Sequence, residues 1–507
     1  MQSITYQPFL RPALPQVFGP KEYREERQLF IRIDELLSTS GLEAEFIGLS
    51  MKHCGFDPRG HRAGRVEAFN RSCVLALRCN IARHLKGMDH RDFCVRLADS
   101  PLLQWFLQIG RVDRVKAFAK STSDRFAHWI DEPGLRAINN KLVALLAGTG
   151  IKPGTFDPGL KAPVSFDDIY FDSTCLKAPI HFPVDWVLLR DATRTLMKAT
   201  VLVRRAGLLH RMPQEPLSFL SEINTLCMKM TAKNRTKGAR KQRKAVLREM
   251  KHLSRRIAGH ARNHLDLLAT RGHETGLTPG QIRQISQRIQ SVLDQLPAAI
   301  KQAHERIIGG RKLPNNKKIL SLYEPDIQVI VRGKSGAEVE FGNNLWLGET
   351  REGLIVDYLL EKEKTSDAKQ IRPAIARLVR DQQLPVSNVW GDRGLHSEAN
   401  EDFLGQHGIR SGLCPRDIAK LAERLENESG MREGLKRRAG TEARVSIIIR
   451  DFMGKPARAK GFEHREMMVG WAILSHNLWV LARLARLARL ERSGGAEGNG
   501  DALLEAA

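Results

Sequence analysis

Two aspartates and one glutamate carry the chemistry that this sequence offers. Asp392 follows the largely apolar run 385–390, Asp172 ends a similar run at 169–171, and Glu442 opens a predicted helix. A carboxylate at the tip of a buried strand is costly unless something pairs with it. Two strand-end aspartates and a helix glutamate, in that order, can hold two divalent metal ions for phosphoryl transfer on nucleic acid.

The elements around these residues must bring them to one place. Strand alternation puts Asp172 on the face of Tyr170, and Asp392 on the face of Trp390. If the two strands are neighbours, both aspartates reach the same end of a sheet. Glu442 has Val445 three residues later on its helix, so its face is expected to turn inward. Magnesium takes oxygen ligands and leaves open positions for phosphate, so three carboxylates suffice for two such ions.

Composition narrows the class of partner. The chain has 507 residues, enough for two to four domains, and it carries a net charge of +24. A surplus this large indicates a polyanionic partner, and nucleic acid is the commonest one. The seven cysteines form no Cys-x-x-Cys pair, which argues against a zinc framework or a disulfide scaffold and favours reduced thiols in the cytoplasm. The sequence shows neither a secretory pattern nor an apolar run of membrane-spanning length.

Hydrophobic periodicity indicates a mixed α/β sheet with one long helical interruption, preceded by an all-α region. Strand patterns occur at 165–174 and return after residue 319, where they alternate with helices. The intervening stretch 211–310 has no strand pattern. We expect an extended arm at 1–20, a helical N-terminal domain at 21–150, sheet segments within 160–210 and 319–492, a helical insertion at 211–318, and a disordered tail at 493–507.

The insertion is strongly basic. Between Lys229 and Arg262 it carries thirteen Lys or Arg residues and a single acidic residue, Glu249. Such a run is often only a solvated helix face. Because the charge is so one-sided, contact with the DNA backbone is the favoured interpretation. The candidate contacts are Arg240, Lys241, Arg243 and Lys244.

The segments around the three carboxylates resemble the catalytic blocks of prokaryotic insertion-sequence transposases of the DDE class, most closely the loosely classified ISNCY set. These blocks are Tyr170–Thr174, Gly391–Asn400 and Arg438–Arg444. Shorter likenesses extend the resemblance over most of residues 60–490. They lie at 97–106, 180–185, 321–325 and 461–478.

This resemblance implies an RNase H-like catalytic core in which Asp172, Asp392 and Glu442 bind Mg²⁺, or Mn²⁺ in its place. It also implies that Arg438 contacts DNA near the cleaved phosphate. The sequence departs from related enzymes at Ile449, where Lys or Arg is common, and the adjacent Arg450 is the candidate substitute. A second departure is Leu435, at a position where tyrosine is often found.

Arg393 has two open interpretations, a contact to phosphate or an ion pair with Glu398. The expected partners are the terminal inverted repeats of a mobile element and target DNA, with a homodimer or larger assembly on the paired ends. The helical N-terminal domain is expected to bind these repeats. Two alternatives stay open at this stage: a metal-dependent endonuclease that cuts without joining, and a decayed transposase that binds DNA as a repressor.

Overall fold

The structure is a computed structural model, and it describes residues 13–14, 16–110, 114–149, 156–232, 238–334, 337–363 and 365–494. Most of the predicted arm and nearly all of the predicted tail therefore lie outside the described residues. The described chain is mixed α/β, as the sequence predicts, and it divides into two compact units. One unit comprises 1–177 and 343–507, and the other comprises 178–342. Among the described residues, no helix is both long and apolar enough to cross a bilayer.

Among the described residues, seven helices precede the first strand, and they share a hydrophobic core with the sheet and the last helix. Phe46 packs against Trp471 of that last helix at 5.8 Å between ring centroids, and Phe171 of the first strand belongs to the same core. The buried Arg78 is held by Asp34 and Glu43, so this helical region also contains a buried ion-pair cluster. The helices are α1 Lys21–Thr39, α2 Leu42–Cys54, α3 Ala63–Leu85, α4 His90–Asp99, α5 Pro101–Phe106, α6 Lys120–Ala127 and α7 Glu132–Ala147.

A six-stranded mixed sheet follows, in the order β2-β3-β1-β5-β6, with β4 also paired to β3. The parallel strands β1, β5 and β6 are adjacent, whereas β2 and β4 are antiparallel to β3. The strands are β1 Asp168–Lys177, β2 Gln328–Lys334, β3 Ala337–Glu349, β4 Ile355–Leu360, β5 Asn388–Gly391 and β6 Arg410–Leu413.

The second unit is mainly helical, and its helices lie where the sequence has no strand pattern. Leu196 of its first helix, Leu247 of the third and Ile289 of the fourth are fully buried in one core. Asp185 is buried in the first turn of the unit's first helix and pairs with Arg306 at 2.8 Å. The four helices are α8 Asp185–Arg205, α9 Pro216–Ala232, α10 Ala239–Arg271 and α11 Pro279–Ala303.

The remaining helices belong to the first unit and surround its sheet. The last of them is largely buried along its first half, from Met467 to Leu481. These helices are α12 Ile371–Ile375, α13 Glu398–Gln406, α14 Ile418–Asn427, α15 Met431–Ile447 and α16 Phe462–Gly494.

Two predicted boundaries next to the carboxylates are wrong. Asp172 does not end its strand, because β1 continues to Lys177. The polar residues after Asp172 resemble a turn, but Ser173 donates a hydrogen bond to Asp367 at 2.8 Å and is thereby accommodated within the strand. Glu442 does not open a helix either, since α15 begins at Met431 and runs through both of its glycines.

Candidate active site

The two aspartates lie side by side on neighbouring parallel strands. β1 pairs with β5 in a register that places Tyr170 opposite Trp390. Continued by two residues, that register puts Asp172 beside Asp392, which directly follows β5. The adjacency on which the sequence argument depended is therefore present, although Asp172 lies within its strand.

Helix α15 crosses the face of the sheet that carries these aspartates. Tyr170, Trp390 and Met431 form a small buried cluster between the sheet and the helix. The approach is close, since a Cβ atom at Gly434 would overlap the indole ring of Trp390, as would one at Gly412 of β6. Arg438 and Glu442 follow Gly434 by four and eight residues, so they share its face of the helix.

The buried carboxylate of Glu349 binds three side chains of α15 and prevents this helix from sliding along its axis. Glu349, at the end of β3, is 1% exposed and accepts hydrogen bonds from Arg437 at 3.0 Å and from Thr441 at 2.7 Å. Arg444 donates to its second oxygen at 3.2 Å. The guanidinium of Arg437 also lies 4.8 Å from the ring centroid of Tyr170. These contacts hold the helix in one register, which determines where Arg438 and Glu442 are presented.

Arg438 lies at the point where the three carboxylates meet. Its Nη2 atom is 3.5 Å from Oδ2 of Asp172, 4.0 Å from Oδ2 of Asp392 and 3.7 Å from Oε1 of Glu442. None of these distances is short enough for a good hydrogen bond. The buried Nε of Arg438 finds no hydrogen-bond partner among the described residues. The guanidinium of Arg438 is therefore the shared counter-ion of three carboxylates, although it makes a close contact to none of them.

The three carboxylates differ in exposure. The side chain of Asp172 is 14% exposed, whereas those of Asp392 and Glu442 are 44% and 58% exposed. Burial raises the pKa of Asp172 to about 6, and the neighbouring charges of Asp392 and Glu442 act in the same direction. Arg438 and the N–H group of Ser173 oppose this rise in the pKa. Asp172 therefore carries an insufficiently compensated negative charge at neutral pH.

The loop after β5 holds one carboxylate oxygen of Asp392 by hydrogen bonds and leaves the other oxygen facing Arg438. Oδ1 of Asp392 accepts hydrogen bonds from the backbone N–H groups of Gly394 at 2.9 Å and Leu395 at 3.2 Å. Its Oδ2 is the atom that faces Arg438. Gly391 is packed against Leu395 and Leu413, where a Cβ atom would be too close to both side chains. The local backbone thus fixes the orientation of this carboxylate.

A network of polar side chains holds Ser173, the neighbour of Asp172 on β1. Ser173 donates to Oδ2 of Asp367, and the other oxygen of Asp367 accepts from Asn344 at 3.3 Å. Asn344 also donates to the buried Glu361 at 2.8 Å. Sequence reasoning missed this network, as it missed Glu349 and Gly434, because the partners come from strands and loops far apart in the chain.

The donor set at this site suits a hard divalent cation. Carboxylate oxygens are the preferred ligands of Mg²⁺, and the raised pKa of Asp172 indicates a site where added positive charge is favourable. In the part of the chain that the structure describes, no group of three or more His, Cys, Asp and Glu side chains is assembled closely enough to hold a metal ion. The three carboxylates surround the guanidinium of Arg438.

The predicted DNA-contacting residues have different environments. Arg393 is exposed on the loop after Asp392, and Arg450 is exposed and paired with its neighbour Asp451 at 2.7 Å. In the second unit, Arg240 and Lys241 are exposed on α10 and Lys244 is half-buried. Arg243 is half-buried with its guanidinium 4.9 Å from the ring centroid of Trp186, so it packs within its own unit.

Helix α10 presents a longer basic row than those four residues. Lys241, Arg248, Arg255 and Arg262 are all exposed and recur every seventh residue. Residues seven apart lie almost in line on an α-helix, at intervals of about 10 Å. The opposite face of α10 is buried through residues such as Leu247 and Ile257. The cations therefore form a single stripe along the exposed side of the helix.

Comparison with known proteins gives no match: no family model, no curated protein and no solved structure is similar to this chain.

Proposed function

We propose that this protein is a DNA transposase of the DDE class, with Asp172, Asp392 and Glu442 as its metal-binding catalytic residues. The observation that carries the proposal is the convergence of these three carboxylates, from two strands and a helix, on one side chain of α15. Asp392 follows Asp172 by 220 residues, and Glu442 follows Asp392 by 50. The segments that flank these three residues are the ones that resemble transposase catalytic blocks.

The proposed core is RNase H-like. In support, β3 and β4 lie on one side of β1, and the parallel strands β5 and β6 lie on the other. That order is the one expected of an RNase H-like sheet. The long connection between β1 and β3 contains helices α8 to α11 and β2, which agrees with a core interrupted by an insertion.

Asp172, Asp392 and Glu442 are the residues that would hold Mg²⁺ or Mn²⁺. When bound, such ions activate a water molecule or a 3′-hydroxyl group and stabilise the leaving oxygen of a phosphodiester. Asp392 presents a carboxylate oriented by two backbone N–H groups, and Glu349 holds the helix that presents Glu442. Arg438, once released from the carboxylates, is placed to donate to a DNA phosphate beside them.

DNA is the proposed partner. The net charge of +24 and the exposed stripe on α10 fit a polyanion, and neutralising DNA phosphates releases bound counterions. Under the same proposal, the protein acts on DNA in the cytoplasm as a homodimer or larger assembly on the paired inverted repeats.

A strand-transfer assay tests this proposal. Purified protein is incubated with Mg²⁺, a supercoiled target plasmid and a labelled duplex that carries the inverted repeats flanking the gene. A transposase produces specific end cleavage together with joined product. Cleavage without joining would identify the endonuclease alternative, and binding without cleavage in either Mg²⁺ or Mn²⁺ would identify the decayed repressor.

A further inference from the structure

A second polar pocket lies in the unit that contains Asp172 but shares no residue with the carboxylate site. It encloses about 490 Å³ between the ends of α3 and α6, the start of α4 and the start of α16. Ligand pockets of a few hundred Å³ accommodate small organic molecules and cofactors. The pocket is therefore large enough for a ligand of mononucleotide size.

The lining is predominantly cationic. It includes Arg83, Arg91, Lys120, Arg458 and Lys460, against two carboxylates, Asp89 and Asp124.

Both carboxylates compensate only part of this charge. Oδ1 of Asp89 accepts hydrogen bonds from the backbone N–H groups of Arg91 and Asp92 and so caps α4, and the charge of Arg458 helps to lower the pKa of Asp89. Asp124 is 60% exposed and lies 3.7 Å from His90. The pocket consequently keeps an excess of positive charge.

Arg83 is the feature that points most directly to an anionic ligand. The residue is 5% exposed, and among the described residues it has no ion pair within 4.0 Å, although the charges of Asp124 and Asp89 act to raise its pKa. Its Nη2 contacts Nε2 of His84 at 2.8 Å, whereas its Nε has no hydrogen-bond partner among the described residues. Burial lowers the pKa of Arg83 to about 10, which still leaves it charged at neutral pH. A buried charge of this kind is unfavourable unless an anion pairs with it.

Part of the lining is apolar. Ala127, Met467, Met468 and Trp471 belong to it and are buried. His128 and His464 also line the pocket and form a hydrogen-bonded pair, with 2.7 Å between Nε2 and Nδ1. A lining that combines cations with buried apolar side chains fits a ligand that joins a phosphate to a flat, weakly polar ring.

We propose that this pocket binds a nucleotide, with its phosphate at Arg83 and Arg458 and its nucleobase against the buried apolar side chains of the lining. The preference for a phosphorylated anion follows from the pocket itself, whereas the choice of a nucleotide rests on the proposed function. The nucleotide is either free in solution or one unit of a bound DNA strand, because the recognising chemistry is the same.

The test measures dAMP binding by calorimetry without divalent metal, in an Asp392→Asn background that keeps the result independent of catalysis. Arg458→Gln combined with Lys460→Gln removes two exposed cations of the lining and should leave the fold intact. We expect saturable dAMP binding that falls by about tenfold or more in this double variant, a loss of about 1.4 kcal/mol. Deoxyadenosine, which lacks the phosphate, should bind more weakly by a similar factor. Arg59→Gln, which removes an exposed arginine outside the pocket, should bind dAMP like the parent protein.

Competition identifies the source of the nucleotide. Displacement of dAMP by a short single-stranded oligonucleotide would assign the pocket to a unit of DNA, whereas simultaneous binding of both would assign it to a free nucleotide. The proposal is overturned if dAMP shows no saturable binding, or if the double variant and the parent bind it equally. A failure here leaves DNA cleavage by the carboxylate site untouched, so the two proposals can fail separately.

Discussion

The guanidinium of Arg438 and the carboxylate of Asp172 form an ion pair, with 3.5 Å between Nη2 and Oδ2, inside a ring completed by Asp392 and Glu442. The same nitrogen faces all three carboxylates, so Arg438 occupies the position of positive charge in the free protein. In the proposed enzyme, a divalent metal and Arg438 compete for this position. That competition, together with the contacts that position α15, determines how substitutions should change metal binding, stability and cleavage.

Removal of Arg438 should strengthen metal binding and weaken catalysis. An ion pair at this separation is worth about 1 kcal/mol in water and about 4 kcal/mol near a protein surface. We therefore expect Arg438→Gln to bind Mn²⁺ about tenfold more tightly, measured by calorimetry, while DNA cleavage falls. Arg432→Gln, an exposed change on the same helix, should alter neither property. Equal or weaker Mn²⁺ affinity in Arg438→Gln would show that this arginine does not stand in for a metal.

The stability of the metal-free protein should fall as pH rises through the range where Asp172 titrates. Its pKa is about 6 in the folded protein against 3.8 for an ordinary aspartate, so the folded state binds the proton more tightly. This contribution is fully present below about pH 4, falls as pH rises towards the folded pKa of about 6, and is absent at higher pH. One pKa unit corresponds to about 1.4 kcal/mol, so the loss is about 3 kcal/mol.

Urea unfolding in EDTA from pH 4 to pH 8 measures this effect. Asp172→Asn should remove the dependence and should be more stable than wild type at pH 8. Asp402→Asn, an exposed change on α13, should follow the wild-type curve. A curve for Asp172→Asn that runs parallel to the wild type across this range would contradict the assignment of the pKa.

Gly434 should tolerate no side chain because of its contact with Trp390. Gly434→Ala places a methyl group within the indole ring, and overpacking of this kind costs about 1 to 3 kcal/mol. It should also displace α15 and reduce DNA cleavage.

Gly440→Ala provides the matched control on the same helix. The added Cβ would lie 3.5 Å from Arg437, an ordinary contact, and alanine favours the helix by about 0.5 to 1 kcal/mol. Thermal unfolding should thus shift in opposite directions for the two variants. If both glycine variants are equally stable, the close approach of α15 to Trp390 is not a constraint.

The basic stripe on α10 should contribute to DNA affinity through phosphate contacts. Each cation that neutralises a phosphate steepens the dependence of log K on log salt by about 0.9. Lys241→Gln should therefore reduce the slope by about that amount, measured by fluorescence anisotropy on duplex DNA. Arg243→Gln is the comparison, because Arg243 packs on Trp186 and should affect stability more than the salt slope. Equal slopes for wild type and Lys241→Gln would exclude the stripe as a DNA contact.

Sequence patterns locate most elements because hydrophobic periodicity follows burial. The strands near Asp172 and Asp392 and the helical stretch of the second unit are examples. The patterns fail where tertiary contacts override local preference. Ser173 continues β1 because Asp367 accepts its hydroxyl, and α15 extends back to Met431 because Gly434 serves a packing contact.

The candidate site was predictable in its carboxylates but not in its supporting residues. Asp172, Asp392 and Glu442 are visible because their flanking segments are distinctive. Glu349 and Asp367 act through partners far away in the chain, and no spacing reveals them. The family resemblance places Arg438 at a DNA phosphate. Its proximity to all three carboxylates depends on how α15 packs on the sheet, which the sequence does not reveal.

The most direct test of the account is the initial rate of Mg²⁺-dependent cleavage of a terminal-repeat duplex by wild type, Asp392→Asn and the exposed control Asp402→Asn. Wild type and Asp402→Asn should cleave at similar rates. Asp392→Asn should lose nearly all cleavage while its affinity for the duplex is unchanged. Cleavage by Asp392→Asn at the wild-type rate would contradict a catalytic role for the carboxylate site.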